Sequence, residues 1–109
     1  MNDALKTFQI SVVIPALNEG EIIASIVRQV REVLDAHGQS YEVIVIDDGS
    51  SDETAAQARS AGADVYSHPY NIGNGAAVKS GIRLARGKYL VLMDGDGQHN
   101  PVDIPRLLE

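Results

Sequence analysis

The sequence predicts an α/β protein, an open, doubly wound, mainly parallel sheet with helices on both faces. Two observations carry this. Runs rich in β-branched residues alternate with segments of helical period, in the order β-α-β-α-β-α-β. The strand-like runs are apolar throughout rather than alternating, the pattern of strands covered on both faces. Right-handed crossovers then leave few topologies open, and the expected architecture is Rossmann-like.

Each element has its own signal. Residues 10–15 (ISVVIP) read as a buried strand stopped by Pro15. Residues 19–36 place Ile22, Ile23, Ile26, Val27, Val30, Val33 and Leu34 on one helical face, with Gly38 as the C-cap. Residues 42–47 (EVIVID) form the second strand. Ser50 and Glu53 have capping-box spacing, which predicts a helix starting near Ser51 and ending before Gly62. Residues 63–66 (ADVY) read as a short third strand and 67–73 (SHPYNIG) as a loop. Residues 75–86 suit a helix closed by Gly87, and 88–93 (KYLVLM) a fourth strand running into DGDGQHNP. DIPRLLE reads as the beginning of a further helix, and residues 1–8 as a flexible lead-in to one domain spanning 1–109.

Composition excludes several classes. A net charge of −6 and no cluster of Lys or Arg argue against a nucleic-acid binder, which must neutralise phosphates. A metal-bridged anionic ligand stays compatible, because a divalent cation reverses the local sign. With no cysteine, disulfides, thiolate catalysis and Cys-based zinc sites are excluded. MNDALKTFQI lacks the apolar stretch of a signal peptide, and no apolar run is long enough to span a bilayer. A cytoplasmic location is expected, with the inner face of the membrane a compatible site.

The chemistry gathers where such sheets bind ligands, beyond the C-terminal ends of the strands. Asn18 and Glu19 follow the first strand, Asp47 and Asp48 the second, and Asp94, Asp96 and Gln98 the fourth. Buried strand ends do not need carboxylates for packing, and unpaired buried charge is costly, so a shared purpose is expected. In an extended chain Asp94, Asp96 and Gln98 share one side, a set of oxygen donors suited to Mg²⁺ or Mn²⁺. Gly95 and Gly97 would leave space for a ligand; the competing reading is a polar turn capping the next helix. In Asp47-Asp48-Gly49-Ser50 one Asp can tie the turn while the other faces the crevice, or both can be turn residues. Asn71 to Ala77 reads as a glycine-rich helix entry whose amides, with Gly75 and Lys79, could face phosphate, or as small residues for close packing.

Three other motifs fail in detail. GNGAAVKS (73–80) places Val78 where a phosphate-binding loop needs its second glycine, so a degenerate P-loop NTPase is a runner-up. The dinucleotide pattern lacks its third glycine. An EF-hand starting at Asp94 would need glycine at His99 and Glu at Pro105. His37 reads as a solvated helix end, His68 as a loop residue, and His99 as a neighbour of the acidic motif.

Together VVIPALNE, VIDDGSSDET, NIGNGAAVKSG and VLMDGDGQH, in this order over residues 8–109, resemble family 2 glycosyltransferases, above all the dolichyl- or polyprenyl-phosphate sugar transferases with a GT-A fold. The resemblance implies that the chain is the nucleotide-sugar-binding half of that fold, the N-terminal part of a longer catalytic domain. It implies that Pro15, Leu17 and Glu19 line the nucleotide pocket and that Asp48 binds the base. Asp94 and Asp96 would be the catalytic D-x-D pair. Asp96 and Gln98 would be the firmest metal ligands, and Asp94 would meet metal or sugar-ribose. Two positions depart from the family pattern: Leu17 stands where an aromatic is frequent, and Asn74 where Lys or Arg is common, leaving Lys79 as the substitute cation.

The implied activity is metal-dependent, inverting transfer of a hexose from a UDP- or GDP-linked sugar to a polyprenyl phosphate or related acceptor. A phosphate acceptor is largely ionised near neutral pH, so no strong protein base is required. The alternative is a non-catalytic nucleotide-binding or assembly module, since an open sheet edge invites pairing with another chain, including a second copy.

Overall fold

The structure, a computed structural model, describes residues 7–95. Strands and helices alternate as β1 (Phe8–Ala16), α1 (Ile23–His37), β2 (Tyr41–Asp47), α2 (Thr54–Ser60), β3 (Asp64–Ser67), α3 (Asn74–Leu84) and β4 (Gly87–Leu92). The sheet order is β3-β2-β1-β4, and every pairing is parallel. The fold is the doubly wound α/β sheet that the sequence predicts. From β1 the chain steps outward to β2 and β3, then returns to place β4 on the other side of β1. That reversal creates a topological switch point at the C-terminal end of β1.

Helices cover the two faces with separate cores. On one face Ile10, Val12 and Ile14 of β1 meet Ile23, Val27, Val30 and Leu34 of α1 and Ala58 of α2. On the other, Val13, Ile44 and Ile46 meet Ala77 of α3. Ala77 and Gly81 are the buried residues of α3, so the small residues of this helix serve close packing on the sheet. Each fully buried aliphatic side chain contributes about 1.5–3 kcal/mol relative to exposure. On α1 the predicted face is largely the buried one, although Val33 is only half-buried and Ala24 is buried in addition. Gly38 caps it as expected, with φ 87° and its N–H donating to the Leu34 carbonyl at 3.2 Å.

Four local expectations are corrected. Pro15 does not stop β1, which runs on to Ala16. In a parallel strand, successive residues address opposite neighbours. The Val13 carbonyl accepts Met93 N–H on the β4 side and the Ala16 carbonyl accepts Asp48 N–H on the β2 side. The N–H that Pro15 lacks therefore lies on the β4 side, where the β1–β4 pairing has already ended at Val13–Leu92. Proline is tolerated there because no ladder bond is lost.

The capping box does not form. Helix α2 begins at Thr54, and Glu53 makes no side-chain cap. The Ser50 hydroxyl instead accepts Asn18 N–H at 2.8 Å, and Asp52 accepts Thr54 N–H at 3.0 Å. Gly87 does not close α3, which ends at Leu84; it opens β4, donating its N–H to Ser11 Oγ at 2.7 Å. Nor is β4 covered on both faces among the described residues. Among the described residues it is an edge strand paired only with β1, and Tyr89, Leu90 and Leu92 are exposed by 42–45%.

At the opposite end of the sheet, Glu42 is buried and holds the α3–β4 connection. Its carboxylate accepts the Ser11 hydroxyl at 2.6 Å and the Arg86 amide at 2.6 Å, and the Arg86 guanidinium lies 3.3 Å away. No helix of the described residues is long and apolar enough to cross a membrane.

Candidate functional site

The loops that follow β1 and β2 are laced together by side chains. Asn18, in a left-handed conformation at φ 55°, accepts Ser51 N–H on its Oδ1 at 2.9 Å. Glu19 N–H donates to Thr54 Oγ1 at 2.9 Å, and Gly20 N–H to Asp52 Oδ2 at 3.0 Å. Asp52 also receives the Thr54 hydroxyl. The polar run Ser50 to Thr54 thus acts as a clasp, and Asn18 belongs to the clasp. It fixes where β1 releases Leu17 and Glu19.

Between the strand ends lies a cleft of about 300 Å³. Pro15, Ala16, Leu17 and Glu19 form one wall, Asp48 the next, Asn71, Gly73, Asn74 and Ala77 the third, and Asp94 and Gly95 the last. It therefore opens at the switch point, where β1 and β4 have separated at Pro15. Three carboxylates from three separate strand ends, Glu19, Asp48 and Asp94, line this one space.

The two aspartates after β2 divide their work. Asp47 holds the turn, its Oδ1 accepting Ser50 N–H at 3.0 Å and its Oδ2 the Ser67 hydroxyl at 3.4 Å. Asp48 lines the cleft while staying buried, at 4% exposure. Its Oδ1 meets His68 Nδ1 at 2.8 Å and accepts Ile72 N–H at 3.0 Å; its Oδ2 accepts Gly73 N–H at 2.9 Å. Burial pushes the Asp48 carboxyl up. The hydrogen bonds from His68, Ile72 and Gly73 together pull harder, and its pKa lies below the ordinary value. Asp48 is thus an anion held in place by three donors. Gly49 makes this possible: at φ 77°, a Cβ there would lie 2.4 Å from the Tyr70 carbonyl carbon. Only glycine lets the loop before α3 close over the β2 turn.

Of the residues singled out in the sequence, Pro15, Leu17, Glu19, Asp48 and Asp94 share the cleft. Gly75 and Lys79 do not line it. Lys79 is exposed, and helical geometry sets it about 160° around α3 from Ala77. The substitute cation expected from Lys79 is therefore not brought to the cleft. Neither are the Ile72 and Gly73 amides available to a phosphate, since Asp48 takes both. Asn74 at the start of α3 does reach the wall. Gly95 lines the cleft, and a Cβ there would lie 3.1 Å from both the Ala16 Cβ and the Pro15 carbonyl oxygen. Its lack of a side chain lets the chain leaving β4 cross the end of β1. His37 is exposed in the last turn of α1, the solvated helix end expected of it. Asp96, Gln98 and His99 lie outside the described residues.

His68 is more than a loop residue. It follows β3, and its ring bridges Asp48 and Ser80, with Nε2 2.9 Å from Ser80 Oγ on α3. The signal was present: the strand-end rule that selected residues after β1, β2 and β4 applies equally to the residue after Ser67.

Fitness for a divalent cation rests on the donor chemistry. Carboxylate oxygens are the hard donors that Mg²⁺ and Mn²⁺ take, and Asp94 stands at the cleft with two further acids in its walls. Among the described residues no three His, Asp or Glu side chains are grouped closely enough to hold a metal by themselves.

The comparisons agree with this architecture. The family model described as "Glycosyl transferase family 2" matches residues 11–109. The dodecaprenyl-phosphate galacturonate synthase of Rhizobium johnstonii is 34% identical over 113 residues, covering 98% of this chain and 33% of that relative. The undecaprenyl-phosphate 4-deoxy-4-formamido-L-arabinose transferase of Salmonella paratyphi B is also 34% identical, over 99% of this chain and 35% of that relative. Among solved structures, glucosyl-3-phosphoglycerate synthase from Mycobacterium tuberculosis, in complex with Mn²⁺, UDP-glucose and phosphoglyceric acid, superposes with a TM-score of 0.75 at 33% identity. That match covers 94% of this chain and 38% of the neighbour. The chain thus spans about a third of the length of the relatives it matches.

Proposed function

The chain belongs to glycosyl transferase family 2, and on that premise we propose that its cleft binds the nucleotide diphosphate sugar of a metal-dependent, inverting hexosyl transfer to a polyprenyl phosphate. The observation that carries this reading is the convergence of Glu19, Asp48 and Asp94 on one cleft at the switch point. Supporting it, two similar proteins are named as polyprenyl-phosphate sugar transferases, and a similar structure holds Mn²⁺ with UDP-glucose.

In this reading Pro15 and Leu17 offer the apolar wall for the nucleoside, and Asp48 accepts an N–H of the base. Asn74 faces the diphosphate from the start of α3, where a helix leaves its first amides without intrahelical acceptors. Asp94, Asp96 and Gln98 are the residues that would hold Mg²⁺ or Mn²⁺. A divalent cation bound there supplies positive charge against the negative charge growing on the leaving nucleoside diphosphate. The acceptor phosphate arrives already ionised and attacks without a strong base, so the residues of the cleft need only bind, orient and exclude water. The lipid acceptor places the reaction at a membrane surface.

Titrating the chain with UDP-glucose and GDP-mannose, with and without Mn²⁺, tests this. Binding that requires Mn²⁺ and is lost in Asp96→Ala is the expected result. Binding indifferent to metal and to Asp96 would remove the support for a metal-bridged donor.

A further inference from the structure

Charge is spread unevenly along this acidic chain. Its net charge is −6, yet residues 65–93 contain no Asp or Glu and carry four of the nine basic residues, Lys79, Arg83, Arg86 and Lys88. Among the described residues, every large exposed apolar side chain except Leu17 also falls in this stretch. A lone exposed apolar residue needs no explanation, but apolar side chains grouped inside a polar rim mark a contact surface.

The fold gathers six of these residues on one side. On α3, Ala77 and Gly81 are buried against the sheet. At about 100° per residue, the helix turns Lys79, Ile82 and Arg83 outward. All three are exposed, Ile82 by 47%. On β4, Val91 belongs to the core beneath α1, so strand alternation directs Lys88, Leu90 and Leu92 to the α3 side. These three are exposed as well. Helix α3 packs over β1 and β2 and leaves the β4 flank of this face uncovered among the described residues. Ser80 points to His68 beyond β3, and Ile82, about 160° around the helix from it, leans towards the open flank. Lys79, Arg83 and Lys88 form no ion pair among the described residues, whereas Arg86 is turned to Glu42.

We propose that this face, Lys79, Ile82 and Arg83 of α3 beside Lys88, Leu90 and Leu92 of β4, docks on a bilayer surface rich in anionic lipid. Its composition selects among occupants. Further polypeptide packed on β4 calls for the aliphatic side chains but not for three cations around them. A nucleic acid calls for the cations but not for the aliphatic side chains. Acidic headgroups above hydrocarbon match both. Glu32 and Asp35 of α1 lie across the sheet, and salt screens exposed charges beyond about 8–10 Å. The start of α3 also walls the cleft, through Asn74 and Ala77, so docking by this helix sets the cleft beside the lipid. None of the six residues lines the cleft, and the lipid contact holds whether or not the cleft takes a nucleotide sugar.

Flotation with vesicles tests this. The chain is expected to float with an equal mixture of phosphatidylcholine and phosphatidylglycerol, far less with phosphatidylcholine alone, and less as salt rises. Arg83→Gln with Lys88→Gln should weaken binding about thirtyfold, from about fivefold for each cation. Arg28→Gln with Arg59→Gln removes the same charge from α1 and α2 and should change binding less than about threefold. Ile82→Ser should weaken it about fivefold, the loss of a half-exposed aliphatic side chain. No flotation, equal losses in the two double variants, or full binding by Ile82→Ser overturns the proposal. So does a chain that is dimeric in solution, dissociates on Leu90→Ser and ignores lipid, because that face then belongs to a second copy.

Should a variant fail to fold, a label decides instead. The chain has no cysteine, so a polarity-sensitive dye on Ile82→Cys reports one position. Its emission should shift to the blue on mixed vesicles while the same dye on Arg28→Cys does not move; no shift at Ile82→Cys, or equal shifts at both, contradicts the docking face. The cleft reading is separable. UDP binding in Mn²⁺ should be unchanged in Arg83→Gln with Lys88→Gln, and a chain that floats with vesicles but binds no UDP rejects the nucleotide reading while supporting this surface.

Discussion

Asp48 Oδ2 accepts the Gly73 amide at 2.9 Å, joining the turn after β2 to the entry of α3 across the wall of the cleft. One carboxylate therefore shapes the site and faces into it. Stability and ligand binding should respond together when it is changed.

Asp48→Asn keeps the size of the side chain and removes its charge. One oxygen becomes a donor that confronts either His68 or a backbone N–H, so the fold should lose about 1–3 kcal/mol. Urea unfolding measures this, and UDP titration of the same variant should show weaker binding than the wild type.

The same residue predicts a pH dependence. Its folded-state pKa lies below the ordinary value of 3.8, so the stabilisation by ionised Asp48 is complete above that value and is lost as pH falls through the folded pKa. Unfolding midpoints measured from pH 6 down to about pH 2 should fall more steeply for the wild type than for Asp48→Asn. Parallel curves would mean that Asp48 gains nothing from its three donors.

Gly49→Ala should destabilise the chain by about 1–3 kcal/mol, because the new Cβ meets Tyr70 backbone and the residue must hold a positive φ. The loop from Tyr70 to Gly73 would be pushed away from Asp48. Nucleotide affinity should therefore drop even though Gly49 does not line the cleft.

Glu42 offers a contrast far from the site. Glu42→Ala leaves the buried Ser11 hydroxyl and the Arg86 amide without their acceptor and should cost about 3 kcal/mol in urea unfolding. UDP binding by the folded fraction should be unchanged, since the network lies at the opposite end of the sheet.

The doubly wound fold was legible because periodicity and the order of elements are local signals; the aliphatic face of α1 and the Gly38 cap needed nothing else. Errors arose where tertiary contacts took over a local motif. Ser50 and Glu53 have the spacing of a capping box, yet Ser50 is claimed by Asn18 of another loop. Pro15 looks like a terminator, and only the end of the β1–β4 ladder shows why the strand can pass through it. At the cleft, the strand-end rule gathers Glu19, Asp48 and Asp94, since topology alone brings strand termini together, whereas Pro15 and Leu17 come from the family resemblance. Lys79 was misplaced because nearness in sequence to Gly73 says nothing of which side of α3 it occupies. His68 follows β3, where the strand-end rule applies, but its partners, Asp48 and Ser80, lie on separate elements and no spacing links them.

The central claim is that one cleft holds both the nucleotide and the cation. A crystal of this chain soaked with UDP and Mn²⁺, with anomalous diffraction recorded for manganese, tests it most directly. One manganese peak is expected at Asp94, with the uracil against Asp48 in the same cleft. A manganese site elsewhere on the molecule, or a base that leaves Asp48 untouched, would contradict it.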